Sequence, residues 1–189
     1  MQTELASLLL YVYSLWSAVI QPCPNYTPLS AGSLNAKQYL GRWYFSAAVS
    51  RREEDLQLFR KMDSTVFTLQ TTTSDNDTLL LTGDMRIGQN CVRASWTYNI
   101  LSGRDDLQLQ GRPDRQTFLR SGAQLNCSDC IILQEVEPAL NRYMLYGRQQ
   151  VIPEDVIEDF REMFTCHRVN SFVRLPQNKG LCLGDKEER

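Results

Sequence analysis

Leu40-Gly41-Arg42-Trp43-Tyr44-Phe45-Ser46-Ala47-Ala48-Val49 is the stretch whose reading decides the fold. Trp43, Phe45, Ala47 and Val49 fall on one side of a period of two, and Tyr44, Ser46 and Ala48 on the other. The expectation is a β-strand with one apolar face, opened by a Gly-x-Trp motif.

Outward from this strand, a charged segment from Ser50 to Lys61 carries Leu56, Leu58 and Phe59 in a pattern that suits a short helix or lid. Seven further strand patterns follow: Ser64 to Thr73, Thr78 to Ile87, Cys91 to Leu101, Asp105 to Arg112, Arg115 to Ser121, Cys130 to Val136 and Asn141 to Gln149. Turn-forming residues separate them at Ser74-Asp75-Asn76-Asp77, Gly88-Gln89-Asn90, Ser102-Gly103-Arg104 and Pro113-Asp114. With the first strand this makes eight, the number that closes an antiparallel up-and-down barrel around side chains or one small ligand. Beyond Pro153 the period changes to about 3.6 residues. Val156, Ile157, Phe160, Met163 and Phe164 share one face, which predicts an amphipathic helix packed outside the barrel. A last short strand is expected at Ser171 to Leu175.

Composition places limits on function. The 42% hydrophobic content supports one folded domain, and the net charge of −2 argues against nucleic acid as a partner. Leu5 to Ile20 form an apolar run too short to span a bilayer comfortably, read as a secretory segment. Trp16 breaks the small-residue pattern expected before a cleavage site at Ser17-Ala18, and Glu4 replaces the usual positive charge. Cleavage remains open, but retention of residues 1–20 as an amphipathic anchor is the preferred reading, leaving 21–189 as the barrel domain. Six cysteines and sequons at Asn25, Asn76 and Asn126 agree with an extracellular, glycosylated, disulfide-bonded protein. Cys127 and Cys130 are close enough in sequence to pair with each other, and the lone histidine, His167, gives no credible zinc set.

The order of Gly-x-Trp strand, lid, seven strands, helix and final strand resembles the lipocalins over nearly the whole chain. Within them the resemblance is to the lipoprotein-borne branch, on Gln21-Pro22-Cys23-Pro24, Gly41-Arg42-Trp43-Tyr44-Phe45, Gly111-Arg112-Pro113-Asp114 and Leu145-Tyr146. It implies that Trp43 closes one end of the barrel, and that the protein is a secreted carrier associated with high-density lipoprotein and holding sphingosine-1-phosphate. It also implies the pairs Cys23–Cys166 and Cys91–Cys182. A family cysteine near the start of the late helix is replaced by Val156, while Cys130 is extra, so Cys127 is left to Cys130. The resemblance further suggests Arg168 or Arg174 as the arginine covering Trp43, and Arg112 as a phosphate ligand.

Strand parity gives an independent view of the interior. Glu135 shares a face with Ile131 and Leu133, so if these point inward the carboxylate does too and needs a cation. Arg142, Met144 and Tyr146 share a face of the next strand, and Val92, Ala94, Trp96, Tyr98 and Ile100 a face of an earlier one. With Arg112 added on the resemblance alone, the expected ligand site is Trp96, Tyr98, Arg112, Glu135, Arg142 and Tyr146: apolar walls for a lipid chain, an acid for an ammonium and arginines for a phosphate. Arg112 conflicts with this, having the opposite parity from Leu107 and Leu109, and Arg93 likewise opposes Trp96. The competing reading of Glu135 and Arg142 is a structural pair at the rim. With no Gly-x-Ser-x-Gly elbow and one histidine, the chain is expected to be neither an enzyme nor a cofactor or metal protein. A monomeric carrier of a small amphipathic lipid is the leading function, and a glycoprotein that binds other proteins through its loops is the alternative.

Overall fold

The computed structural model describes residues 36–72, 77–165 and 169–182. A short helix, α1 (Ala36–Tyr39), leads into β1 (Gly41–Ser50), β2 (Ser64–Thr71), β3 (Thr78–Ile87), β4 (Asn90–Ile100), β5 (Leu107–Leu109), β6 (Gln116–Ser121), β7 (Cys130–Glu137) and β8 (Leu140–Gly147). Then come α2 (Glu154–Thr165) and β9 (Ser171–Arg174). Each strand from β1 to β8 pairs antiparallel with the next, and β8 pairs back with β1, so the expected eight-stranded barrel is closed. β1 has three partners: besides β8, its first half pairs with β2 and its second half with β9.

The parity expected for β1 holds only at its start. The register with β8 steps from Phe45↔Tyr146 to Ala47↔Leu145, so Ser46 is the extra residue of a β-bulge. Trp43 and Phe45 face the barrel interior, but beyond the bulge Ala48 takes over that side, while Ala47 and Val49 turn outward to the second core. The bulge also turns the Ser46 carbonyl to the Leu175 amide at 2.9 Å, where the chain leaves β9. β5 is shorter than expected because Gly111, at φ +81°, turns the chain after Leu109, and Arg104 grips Asp106 just before the strand through two 2.7 Å bonds.

There are two cores. The interior is filled from β1 to β8 by residues such as Phe67, Leu79, Leu107, Leu119 and Leu133. The outer one is the α2 interface, where Val156, Ile157, Phe160, Met163 and Phe164 pack on Ala47, Val49, Ile132 and Leu145. Phe164 stacks on Tyr143 with centroids 4.1 Å apart. Burying five apolar side chains at roughly 1.5–3 kcal/mol each is ample to hold a helix this short in place.

Two disulfides are described, Cys91–Cys182 and Cys127–Cys130. Cys23 and Cys166 lie outside the described residues, as do the leader, His167, Arg168 and the sequons at Asn25 and Asn76. Asn126 is exposed at φ +51°, capping the 3-10 turn Gly122–Leu125. Among the described residues no helix is long and apolar enough to cross a membrane.

Candidate functional site

The barrel encloses a cavity of about 40 Å³, room for a few water molecules. Trp43, Phe67, Leu69, Leu79, Leu81, Tyr98, Leu107, Thr117, Leu119, Ile131, Leu133 and Tyr146 line it. Of the residues expected from parity, Tyr98 and Tyr146 are in this wall. Met144 is buried in the same core, whereas Trp96 is only partly buried and packs against Phe67 at 5.9 Å. Val92, expected on the inner face, is 44% exposed.

Glu135 lies inside, as its parity requires, at 5% exposure. Its place opposite Arg142 is set by the β7–β8 register, and Arg142 Nε donates to Glu135 Oε2 at 2.7 Å. Arg115 approaches the other oxygen, Nη1 to Oε1 at 3.4 Å. Arg115 Nε also donates to Glu137 Oε1 at 2.7 Å, and Arg112 Nη2 reaches that same oxygen at 2.7 Å. The result is an ion ladder running Arg142, Glu135, Arg115, Glu137, Arg112 from the interior out to the rim. Exposure follows the same path: Glu135, Arg115 and Arg142 are 15% exposed or less, and Arg112 is 58% exposed. Arg112 thus stands outside the cavity, on the turn made by Gly111, as its parity indicated. Arg93 is likewise on the outer side, donating to Asp84 at 2.6 Å.

The ladder sets the electrostatics of the interior. Burial, reinforced by the Glu135 charge, pushes the phenol pKa values of Tyr98 and Tyr146 up, so both remain neutral hydrogen-bonding groups. The hydrogen bond from Arg115 holds Glu137 below the usual carboxylate range. For Arg115 burial alone would lower the pKa, but Glu137 and Glu135 together raise it. Three largely buried charges converge here, where an isolated one would be costly.

The Ser50–Lys61 segment forms two 3-10 turns, Glu53–Leu56 and Phe59–Lys61, over this end of the barrel. Asp55 is the pin of the lid. Its carboxylate accepts from the Ser50 hydroxyl at 2.6 Å and from Arg52 at 2.8 Å. Burial works to raise its pKa, yet those two bonds and one from the Asn141 backbone bring it down overall. Arg142 joins lid to interior: Nη1 donates to the Asp55 carbonyl at 3.1 Å and the guanidinium lies 4.6 Å over the Phe59 ring.

At the opposite end Trp43 is buried, its indole N–H donating to the Tyr39 carbonyl at 2.7 Å. The arginine that covers it is Arg148, 3.7 Å above the ring, and not Arg174, which is paired with Glu154. Arg148 also donates to the carbonyls of Leu40, Arg42 and Gln38. No local pattern marks Arg148 in sequence, because its target is brought by the β1–β8 pairing of Tyr44 with Gly147. Arg115 was legible: it alternates with Thr117 and Leu119, both in the cavity wall. Among the described residues no group of histidine, cysteine and acidic side chains is arranged to hold a metal.

Residues 1–185 match the ApoM domain family. Rat (Rattus norvegicus) apolipoprotein M is 30% identical over 181 residues, covering 92% of this chain and 93% of the relative. Mouse (Mus musculus) apolipoprotein M is also 30% identical, with the same coverage. Among solved structures, the siderocalin Ex-FABP superposes with a TM-score of 0.58 at 15% identity, covering 75% of this chain and 96% of that one. The siderocalin Q83 superposes with a TM-score of 0.58 at 16% identity, over 79% and 96%. At such identities the structural likeness establishes the fold alone. Sequence kinship across almost the full length and the closed barrel with its outer helix agree: the chain belongs to the apolipoprotein M family and has the lipocalin fold.

Proposed function

We propose that the protein is a secreted, monomeric carrier of a single-chain amphipathic lipid, with its ligand's head at the ion ladder and its chain along the apolar wall. The observation that carries this reading is buried Glu135, bridged by Arg142 and Arg115 and set two residues along β7 from Leu133 of the apolar cavity wall. An ammonium would take Glu135, and a phosphate would take the arginines that the ammonium frees. Sphingosine-1-phosphate has both groups on one chain, and kinship to apolipoprotein M supports a place on lipoprotein particles, high-density lipoprotein in particular. Retention of residues 1–20 would anchor it there, with glycans at Asn25, Asn76 and Asn126 on the aqueous side.

The cavity is small against the roughly 300–1,000 Å³ usual for ligand pockets, so loading requires interior side chains to yield. That narrowness is also what favours the second reading, a filled barrel that works by binding proteins through its loops. Mass spectrometry of lipid extracted from the secreted protein separates the two. A phosphorylated sphingoid base or similar lipid is expected, and a protein that neither holds nor can be loaded with any lipid would overturn the carrier reading.

Charge and apolar contact are then separable by titration. Arg142→Ala is expected to weaken a phosphorylated lipid by about 1.5–3 kcal/mol and its dephosphorylated partner much less. Trp96→Ala should weaken both alike, through lost apolar area. An unchanged ratio in Arg142→Ala would make that arginine structural.

A further inference from the structure

A second, roomier pocket lies outside the barrel at its closed end, a cleft of about 210 Å³ between residues 126–130 and residues 147–153. Both cysteines of Cys127-Ser128-Asp129-Cys130 line it, together with Arg148, Val151 and Pro153. Cys127 is half-buried, whereas Cys130 is 3% exposed and belongs to the outer core with Leu125 and Ile132. A thiolate arriving through the cleft therefore meets Cys127 first. The Cys127–Cys130 bond joins residues three apart in sequence, and disulfide stabilisation shrinks with ring size, so this bond adds little to the stability of the barrel. The turn is held by other means. The Cys127 amide donates to the Gly122 carbonyl at 3.2 Å, the Asn126 amide to the Ala123 carbonyl at 3.1 Å and the Arg148 amide to the Asp129 carbonyl at 2.9 Å. Gly122 packs directly on the pair, since a Cβ there would stand 2.5 Å from that of Cys130. Opening the sulfur bond thus leaves both thiols in place to close again.

We propose that Cys127–Cys130 is a redox-active site that exchanges with a low-molecular-weight thiol admitted by the cleft. A disulfide that carries little of the fold and is entered from a cleft belongs with the labile, exchanging bonds. Cys91–Cys182, which ties the tail to β4 across 91 residues, is the structural one. In the first step the incoming thiolate bonds to Cys127 Sγ as the Cys127–Cys130 bond breaks, and Cys130 Sγ leaves with the bonding pair and takes up a proton. A second small thiolate then attacks the small molecule's sulfur in the mixed disulfide and expels the Cys127 thiolate, which is protonated in turn. Two thiols are thereby oxidised to one small disulfide, and the protein pair gains two electrons and two protons. Reoxidation by a small disulfide runs the same steps backwards. The inference is independent of the lipid-carrier reading.

The test incubates the full chain with mixtures of reduced and oxidised glutathione, alkylates free thiols and reads each cysteine by peptide mass spectrometry. Cys127 and Cys130 should open and close reversibly with the glutathione ratio while circular dichroism shows the barrel intact. Glutathione caught during the exchange should sit on Cys127, and Cys130→Ser should accumulate that adduct. Val151→Trp narrows the cleft from an exposed position outside the core. It should slow exchange at Cys127–Cys130 by at least about threefold and leave the rate at Cys91–Cys182 unchanged, because exchange depends on access to the attacked sulfur. The inference falls if Cys127–Cys130 opens only when the barrel unfolds or if glutathione is found chiefly on Cys130. It falls equally if Val151→Trp slows neither bond or slows both alike. The rate and adduct measurements on the unsubstituted chain decide the matter even if a variant fails to fold.

Discussion

The two ends of this barrel use arginine in opposite ways. At the closed end Arg148 covers Trp43 and spends its donors on three backbone carbonyls, neutral groups that are fixed in the fold. At the lidded end Arg142 and Arg115 face carboxylates, and one of them also holds a lid carbonyl. A guanidinium tied to backbone has nothing to exchange with a ligand, whereas one tied to a carboxylate can trade that partner for an incoming anion. One end thus ties its arginine to the backbone, and the other sets its arginines against carboxylates.

The largest effect that would break this contrast lies at the closed end. Arg148→Ala removes a cation–π contact and charge-assisted bonds to carbonyls, and should cost about 2–4 kcal/mol in denaturant unfolding with little change in ligand selectivity. A variant that unfolds like the parent but discriminates lipids differently would erase the distinction.

Acid sharpens it next. Asp55 and Glu137 have pKa values lowered in the folded protein, so their contribution to stability is complete above the ordinary carboxylate range, near 4, and is lost as pH falls through their folded values. The denaturation midpoint should fall in that acid window, and Asp55→Asn should flatten the fall by its share. An Asp55→Asn profile as steep as the parent's would remove the lid carboxylate from the account.

The smallest effect is at the outermost rung. Arg112 is mostly solvated, so Arg112→Ala should change stability by less than about 1 kcal/mol and leave affinity for both phosphorylated and unphosphorylated lipids nearly unchanged. A selective loss of the phosphorylated lipid would move the phosphate site outward to the rim.

What could be read in the sequence was what depends on local period. The span Thr78–Ile87 is reproduced to the residue, and Glu135, Met144 and Tyr146 point where alternation puts them. Both sides of β1 near its middle are small or apolar, so a one-residue insertion at Ser46 leaves no trace in the pattern even though it reverses Ala47, Ala48 and Val49. Arg148 and the meeting of Arg115 with Glu137 depend on strand register between segments distant in sequence. Arg112 shows the converse: parity placed it outside, and the turn at Gly111 keeps it there.

The bond between Cys91 and Cys182 has a consequence for biosynthesis. Its partners are separated by 91 residues, and Cys91 stands at the start of the fourth strand. As the chain emerges, the β3–β4 hairpin is made with an unmatched thiol that must wait for four further barrel strands, the outer helix and the tail. When Cys182 arrives, the tail is fastened where Ser64 and Arg86 already receive the Gly180 carbonyl. A chain cut short just before Cys182 would retain every barrel strand yet leave Cys91 on β4 as a thiol without the partner it has in the folded protein.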